Sequence, residues 1–247
     1  MLQVIQTLLG PEGCPWDQEQ TPESLCDYLV EETFELVSAI RSGDLQEVLE
    51  EMGDVIFLLA FISCLYGDKV SLGQAMQHAA RKMTRRHPHV FGETDINSRE
   101  ELTRTWERVK KTEKKHAGGY LLDSVPRSLP PLLLAYRLHS KAAKAGFTWD
   151  SLHELEDKLT EEWLEWKNAL ESKDHDKMLE EFGDYLFTLV EYGRRNQIKA
   201  SSALSKTNIK FARRIHMMED LAREKGWDIS RLDMDHLEEL WQEAKGF

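Results

Sequence analysis

The chain has 247 residues, of which 41% are hydrophobic and 31% charged, and 44 acidic side chains against 32 basic ones give it a formal net charge of −12 at pH 7. The length predicts one or two domains, and the apolar fraction argues against a disordered acidic chain. The acidic excess disfavours a general nucleic-acid binder, because neutralising phosphates requires a basic surface, but it permits a nucleotide substrate that arrives with metal ions.

The first residues and the cysteines bear on the compartment of the protein. The stretch MLQVIQTLLG contains no basic leader, and the longest dense apolar run, residues 55–62, is far shorter than the ~20 residues of a membrane span. We therefore expect no secretory signal and no membrane segment. The three cysteines form no CxxC pair; they are Cys14, Cys26 and Cys64. Such an odd set is typical of reduced thiols in a cytoplasmic protein.

Taken in chain order, the predicted elements are helices. Between residues 45 and 59 apolar residues recur at intervals of three and four, which places them on one helix face. A short connection at residues 42–44 separates this helix from the one before it and predicts an antiparallel pair. Residues 132–145 begin another helix after a proline-rich stretch, and strand-like alternation is scarce. The pattern predicts an all-α fold.

The second half of the chain repeats motifs of the first half in the same order. Glu-Glu-x-x-Glu at 31–35 recurs at 161–165, and Glu-x-Gly-Asp at 51–54 recurs at 181–184, both with an offset of 130 residues. Lys-x-x-Arg-Arg at 82–86 recurs at 210–214, and a tryptophan four residues before a lysine occurs at 106 and again at 241. Duplication of one helical module explains this order. Two glycines and three prolines over residues 118–131 place the junction near residue 123, which predicts modules over residues 1–123 and 124–247.

Each module directs four carboxylates toward one place between its two acidic helices. On each helix two of them are three residues apart and so project from one face. The sets are Glu32, Glu35, Glu51 and Asp54 in the first module and Glu162, Glu165, Glu181 and Asp184 in the second. Four converging anions repel one another unless a cation is bound, and oxygen ligands without histidine or thiol suit Mg²⁺ or Mn²⁺.

Two features favour a site over an ordinary solvated acidic face. The last carboxylate of each set directly precedes an apolar segment. Gly53 and Gly183 stand inside predicted helices, where glycine costs about 1 kcal/mol relative to alanine, so we expect a close helix approach or room for a ligand there. Spacing alone leaves open which member of each adjacent pair is the ligand, because Glu31 lies four residues from Glu35 and Glu32 lies three.

A basic helix face and a tryptophan follow the carboxylates in both modules. Lysine and arginine at helical spacing can grip a polyphosphate, with arginine supplying forked donors. The residues are Lys82, Arg85 and Arg86 in the first module and Lys210, Arg213 and Arg214 in the second. Trp106 and Trp241 either stack on a base or pack in the core. Pro88, between two histidines, ends a helix and does not indicate a zinc site.

In combination these motifs resemble a known family. The sequence Cys-Pro-Trp-Asp at 14–17, the acidic motifs, Arg-Arg-His-Pro-His-Val-Phe at 85–91 and the repeat are similar to the MazG nucleoside triphosphate pyrophosphohydrolases in their long, two-module form. The resemblance implies Mg²⁺-dependent hydrolysis of NTPs and dNTPs to the monophosphate and pyrophosphate. It also implies a homodimer whose modules form four-helix-bundle-like units, and it selects the ligands spaced three apart, Glu32 and Glu162 over Glu31 and Glu161.

The resemblance further implies that catalysis resides mainly in the second module. The sequence agrees, because Lys158 and Asn208 stand where the first module has Tyr28 and Ala80. The residues that match nucleotide contacts of the family are Lys158, Lys210, Arg214 and Trp241. Either Glu161 or a member of the carboxylate set is expected to take the proton of the attacking water. Bulky tryptophans at 163 and 166, where aliphatic residues are usual, are expected to affect substrate preference.

Other function classes fit less well. Residues 47–53 imitate the end of a Nudix box, but Gln46, Ser38 and Asp54 break that motif and the strands of that fold are missing. A P-loop ATPase lacks its GxxxxGK[ST] motif, and a di-iron bundle would require Glu-x-x-His pairs. The non-enzymatic alternative is a helical protein that binds NTP and Mg²⁺ without turnover. Among enzymatic roles, removal of unwanted nucleotides and regulation of a nucleotide pool fit equally well.

Overall fold

The computed structural model describes residues 1–92, 98–114 and 119–246. Within them it contains twelve α-helices and no β-strand, which confirms the predicted all-α class. The chain divides into two compact units, Met1–Ala117 and Gly118–Phe247. Among the described residues, none of the helices combines the length and the apolarity that crossing a bilayer requires.

The first unit is built on two long helices. Its elements are α1 (Leu2–Leu8), α2 (Pro15–Gln18), α3 (Leu25–Ser42), α4 (Leu45–Tyr66), a 3-10 turn (Gly67–Lys69), α5 (Leu72–Arg86), α6 (Pro88–Phe91) and α7 (Arg99–Lys114). A core cluster formed by α1, α3 and α4 contains Ile5, Leu25, Leu58, Ala60 and Phe61. Burial of this apolar face holds the α3–α4 pair against α1.

The second unit repeats this plan on its own pair of long helices. Its elements are α8 (Pro131–Lys144), α9 (Leu152–Ser172), α10 (His175–Arg195), α11 (Ala200–Glu224), a 3-10 turn (Ile229–Arg231) and α12 (Met234–Lys245). The helices α9 and α10 correspond to α3 and α4, and α11 and α12 pack through Met218, Ala222, Leu240 and Ala244.

Local sequence produces the same tight connection in both hairpins. Gly43 ends α3 in the left-handed region at φ +82°, and Lys173 takes the equivalent place after α9 at φ +56°. Glycine adopts this conformation without a side-chain penalty, whereas lysine does not. The next residue, Asp44 or Asp174, caps the following helix by accepting hydrogen bonds from two backbone N–H groups. These signals turn the chain and set the two acidic helices side by side.

A buried ionic network distinguishes the second unit from the first. Glu191 in α10 is 1% exposed and occupies the position of Phe61 in the first unit. Arg194 donates two hydrogen bonds to it at 2.6 and 2.7 Å. The imidazole Nδ1 of His139 in α8 lies 3.6 Å from the same carboxylate, and the hydroxyl of Thr148 donates to it at 3.4 Å. The network therefore ties α8 and the loop after it to α10.

Candidate active site

Three carboxylates converge between the two long helices of each unit. In the second unit Glu162 and Glu165 of α9 and Glu181 of α10 each place an oxygen within 4.8 Å of the others. In the first unit the same is true of Glu32, Glu35 and Glu51. We call these the second and the first acidic group. Their donors are all carboxylate oxygens, which fit a hard divalent cation such as Mg²⁺.

The fourth predicted carboxylate of each set lies beside its group. Asp184 and Asp54 are outside the sets of oxygens that meet within 4.8 Å. Loss of solvent around Glu181, followed by the charges of Glu165 and Asp184, raises the pKa of the Glu181 carboxyl. The negative charge of Asp184 therefore acts on the second acidic group, as expected of a carboxylate beside it.

The same electrostatic crowding occurs in the first acidic group. Partial loss of solvent and then the charges of Glu35 and Asp54 raise the pKa of Glu32. Partial loss of solvent and then Glu35 and Glu32 raise the pKa of Glu51. These shifts mean that the charged form of each group is unfavourable while the carboxylates have only one another as neighbours, and a bound cation would relieve that cost.

The structure shows which member of each adjacent glutamate pair joins the acidic group, a choice that the spacing left open. Glu162 is 6% exposed and contributes to the second acidic group, whereas Glu161 is exposed and stands outside it. In the first unit Glu32 contributes and Glu31 does not. In each unit the contributing glutamate is thus the one three positions before the second ligand of its helix, Glu165 or Glu35.

Lys158 joins the second acidic group from one turn earlier in α9. Its Nζ lies 2.8 Å from Oε1 of Glu161 and 3.0 Å from Oε1 of Glu162. These hydrogen bonds, that to Glu161 first, raise the pKa of Lys158. The equivalent Tyr28 of the first unit instead packs edge-on against Trp16, with ring centroids 5.8 Å apart. At this helix position the second acidic group therefore has an ammonium group as a neighbour, whereas the first unit has a tyrosine.

The predicted basic motif meets the predicted tryptophan where α11 packs on α12. The guanidinium of Arg214 lies over the Trp241 ring, 5.4 Å from its centroid, and Lys245 lies over the same ring at 5.7 Å. The half-buried Trp241 also contacts Phe211 at 5.7 Å between centroids. In the first unit Arg86 lies over Trp106 at 5.6 Å. The tryptophan is thus a packing residue whose ring also carries cations.

The other predicted phosphate and base contacts stand apart from the carboxylates. Asn208, Lys210 and Arg213 are exposed on α11. In the part of the chain that the structure describes, no ion pair joins Lys210, Arg213 or Arg214 to the second acidic group. Their positive charges are therefore available to an anion.

An aromatic cluster adjoins the second acidic group. Of its four rings, the sequence alone had singled out two, those of Trp163 and Trp166. Each of its rings belongs to the residue directly after one of the four carboxylates: Trp163, Trp166, Phe182 and Tyr185. The Trp166 centroid lies 5.1 Å from that of Trp163, 4.9 Å from that of Phe182 and 6.2 Å from that of Tyr185. The sequence contained a signal for the other two rings, because a residue directly after a ligand lies on the neighbouring part of the same helix surface.

A Cβ atom at Gly53 or Gly183 would meet no atom within 4 Å apart from its chain neighbours and the backbone of its own helix. Of the two explanations expected for these glycines, the close helix approach is therefore not found within the described units. Open space beside the carboxylates remains, as a ligand would need.

Comparison with known proteins places this geometry in a family. The profile of the MazG nucleotide pyrophosphohydrolase domain matches residues 20–91 and again residues 150–218. Nucleoside triphosphate pyrophosphohydrolase of Escherichia coli K12 is 34% identical over 99% of this chain and 95% of its own length. Nucleoside triphosphate pyrophosphohydrolase/pyrophosphatase MazG of Thermotoga maritima is 34% identical over 100% of this chain and 94% of its own length. Protein YabN of Bacillus subtilis is 38% identical over 98% of this chain, which spans 50% of that protein. Because the family domain occurs twice and two relatives align over nearly their whole length, the chain is an enzyme of the MazG nucleotide pyrophosphohydrolase family.

Proposed function

We propose that this protein hydrolyses nucleoside and deoxynucleoside triphosphates to the monophosphate and pyrophosphate. The single observation that carries the proposal is the second acidic group, in which three carboxylate oxygens from two helices meet within 4.8 Å. The names of the Escherichia coli and Thermotoga maritima relatives support the reaction class. The oxygen-only donor set supports a divalent cation as cofactor.

Mg²⁺, with Mn²⁺ as a substitute, is the proposed cofactor. In the second module the ligands are Glu162, Glu165, Glu181 and Asp184, and in the first they are Glu32, Glu35, Glu51 and Asp54. Bound there, the cation would lower the pKa of a water molecule and neutralise charge on the triphosphate. We place catalysis in the second module, residues 124–247, because Lys158 contacts its acidic group, whereas the equivalent position of the first module holds Tyr28.

The other steps of the proposed reaction are assigned to residues of the second module. Water attacks the α-phosphorus in line with the pyrophosphate leaving group, and Glu161 or a carboxylate of the second acidic group accepts its proton. On α11, Lys210, Arg213 and Arg214 stabilise negative charge on the β- and γ-phosphates. Asn208 and Lys158 complete the contacts to the substrate, and Trp241 orients the base.

The proposed biological role is removal of unwanted nucleotides or regulation of a nucleotide pool in the cytoplasm, carried out by a homodimer. Three unpaired thiols support a reducing compartment. Apolar side chains exposed on the α9–α10 hairpin, among them Leu164, Leu170 and Leu179, support association of the helices with a second copy.

The test is release of pyrophosphate from a panel of NTPs and dNTPs with Mg²⁺. We expect pyrophosphate and not orthophosphate, and we expect Glu165→Gln and Asp184→Asn each to abolish its release. Glu171→Gln, an exposed carboxylate of the same helix α9, is the matched control and should retain full activity. Tight nucleotide binding without turnover would instead identify a binding protein, and full activity of both active-site variants would contradict the proposed site.

A further inference from the structure

The position of Lys158 suggests a role beyond contact with the phosphates. Its ammonium group contacts Glu162, a member of the second acidic group that is 6% exposed. A buried carboxylate that lacks a counter-ion is strongly unfavourable, and here the counter-ion comes from the chain itself. The side chain of Lys158 also contacts Glu161, so it has a second acceptor one residue away that lies outside the group.

The ammonium and a divalent cation would compete for the same carboxylate. The Nζ of Lys158 is 3.0 Å from Oε1 of Glu162. A divalent cation such as Mg²⁺ binds a carboxylate oxygen at about 2 Å, so a cation on that oxygen would lie within about 5 Å of the ammonium. Like charges at this distance repel, and the side chain of Lys158 is long and flexible enough to move away.

The first unit lacks this competitor while keeping the carboxylates. Tyr28 stands at the equivalent position of α3 and packs on Trp16. Glu32 has acidic neighbours and no lysine partner among the described contacts of α3 and α4. Four residues before Glu162 the second unit therefore has a positive charge, and four residues before Glu32 the first unit has a neutral tyrosine.

We propose that Lys158 is a positioning residue whose ammonium group acts as an internal counter-ion of Glu162, and that a divalent cation entering the second acidic group displaces this ammonium group toward the triphosphate. This inference rests on the proposed function, since it requires that the second acidic group bind the cation. Lys158 then weakens binding of the cation alone and strengthens binding of the cation together with nucleotide. Because coupling between two ligands is reciprocal, nucleotide must raise the affinity for the cation by the same factor.

The experiment measures Mn²⁺ affinity by titration calorimetry, in the full-length chain with Glu35→Gln and Glu51→Gln added so that the heat reports on the second module. Without nucleotide, Lys158→Met should bind Mn²⁺ about tenfold more tightly, a value within the usual range of coupled sites. Lys158→Arg, which keeps the charge, should stay near the parent protein. Lys167→Met removes an exposed lysine from the same helix and should leave the affinity unchanged.

A second measurement tests the coupling itself. Mn²⁺ should raise the affinity for α,β-methylene ATP, an analogue that cannot release pyrophosphate, by a larger factor in the parent protein than in Lys158→Met. A merely structural role for Lys158 would change neither this factor nor the metal affinity in the predicted direction.

The outcomes separate the inference from the proposed function. Unchanged or weaker Mn²⁺ binding by Lys158→Met overturns the counter-ion role, while metal binding and activity of the parent protein would still support the proposed function. Absence of Mn²⁺ binding to the parent protein contradicts the metal site of the proposed function and with it the inference. Should the methionine variant fail to fold, Lys158→Gln decides the same question with the same expected direction.

Discussion

Glu191 lies in the second module where Phe61 lies in the first, and each is 1% exposed. One module therefore fills this core position with an aromatic ring and the other with a charge. The charge is compensated by Arg194, which donates two hydrogen bonds, and the imidazole of His139 lies beside the same carboxylate. Buried charges of this kind are stable only while their partners are present.

Removing one partner should therefore destabilise the second module severely. We expect Glu191→Ala to lower the free energy of unfolding by about 3–5 kcal/mol, since it leaves Arg194 without its carboxylate and opens a cavity. Urea denaturation followed by circular dichroism measures the change. Glu180→Ala, an exposed substitution on the same helix, should change it by less than about 0.5 kcal/mol. Equal effects of the two substitutions would show that the network does not stabilise the fold.

The same network predicts a loss of stability in mild acid. Burial, with a contribution from Arg194, lowers the pKa of His139 below its ordinary value of 6.5, although Glu191 and the carbonyl of Phe187 oppose the shift. The native state therefore favours the neutral ring, and its stabilisation is fully present above pH 6.5 and is lost as the pH falls below that value. The slope cannot exceed about 1.4 kcal/mol per pH unit for one proton.

The measurement is the free energy of unfolding between pH 5 and 8 for the parent protein and for His139→Gln. We expect the parent to lose stability relative to the variant below pH 6.5 and the two curves to run parallel above it. His153→Gln, which removes an exposed histidine, should follow the parent curve throughout. A difference that grows above pH 6.5 would contradict the direction of the shift.

Relief of repulsion in the second acidic group should be visible without any nucleotide. The pKa of Glu181 is raised, so its ionisation opposes folding in the metal-free protein at neutral pH. We expect Glu181→Gln to raise the melting temperature in EDTA and to reduce the further rise that saturating Mg²⁺ or Mn²⁺ gives the parent. Differential scanning calorimetry with and without metal measures both effects. A metal-induced rise that is unchanged in Glu181→Gln would argue against this residue as a ligand.

Each module has a tryptophan whose ring lies under an arginine guanidinium, Trp106 in the first and Trp241 in the second, and this permits a matched comparison of the modules. If the second module holds the substrate, Trp241→Leu should raise KM for a nucleoside triphosphate about tenfold or more, the usual cost of a lost base–aromatic contact. Trp106→Leu removes the equivalent ring beside Arg86 in the first module and should leave KM unchanged. Initial-rate measurements on both variants decide this. Equal effects would place substrate in both modules.

The aromatic cluster predicts an effect on substrate choice. Trp163 is 41% exposed next to Glu162, and the first module has Thr33 at this position. We expect Trp163→Thr to change the ratio of kcat/KM between purine and pyrimidine nucleotides while Mn²⁺ affinity stays constant. Competition assays with mixed nucleotides give the ratio directly. A change in metal affinity with an unaltered ratio would show that the ring supports the carboxylates and not the base.

Much of the fold and of the site could be predicted because the signals are local. The helical period, the capping aspartates Asp44 and Asp174 and the tight connections act within a few residues. The duplicated motifs likewise lie on single helices. The ionic network could not be predicted, since Glu191 and His139 are 52 positions apart and a glutamate in a helical pattern ordinarily faces solvent.

The sequence by itself determined that this protein is helical, that one module occurs twice and that each copy carries carboxylates three residues apart on two neighbouring helices. Those conclusions need only the period of a helix, the order of the repeated motifs and the short connection between the two acidic helices. The tertiary structure decided that Glu162 and not Glu161 joins the acidic group and that Lys158 is tied to it. Both glutamates lie within reach of one helix face, so only the packing of α9 against α10 selects the one that meets Glu181.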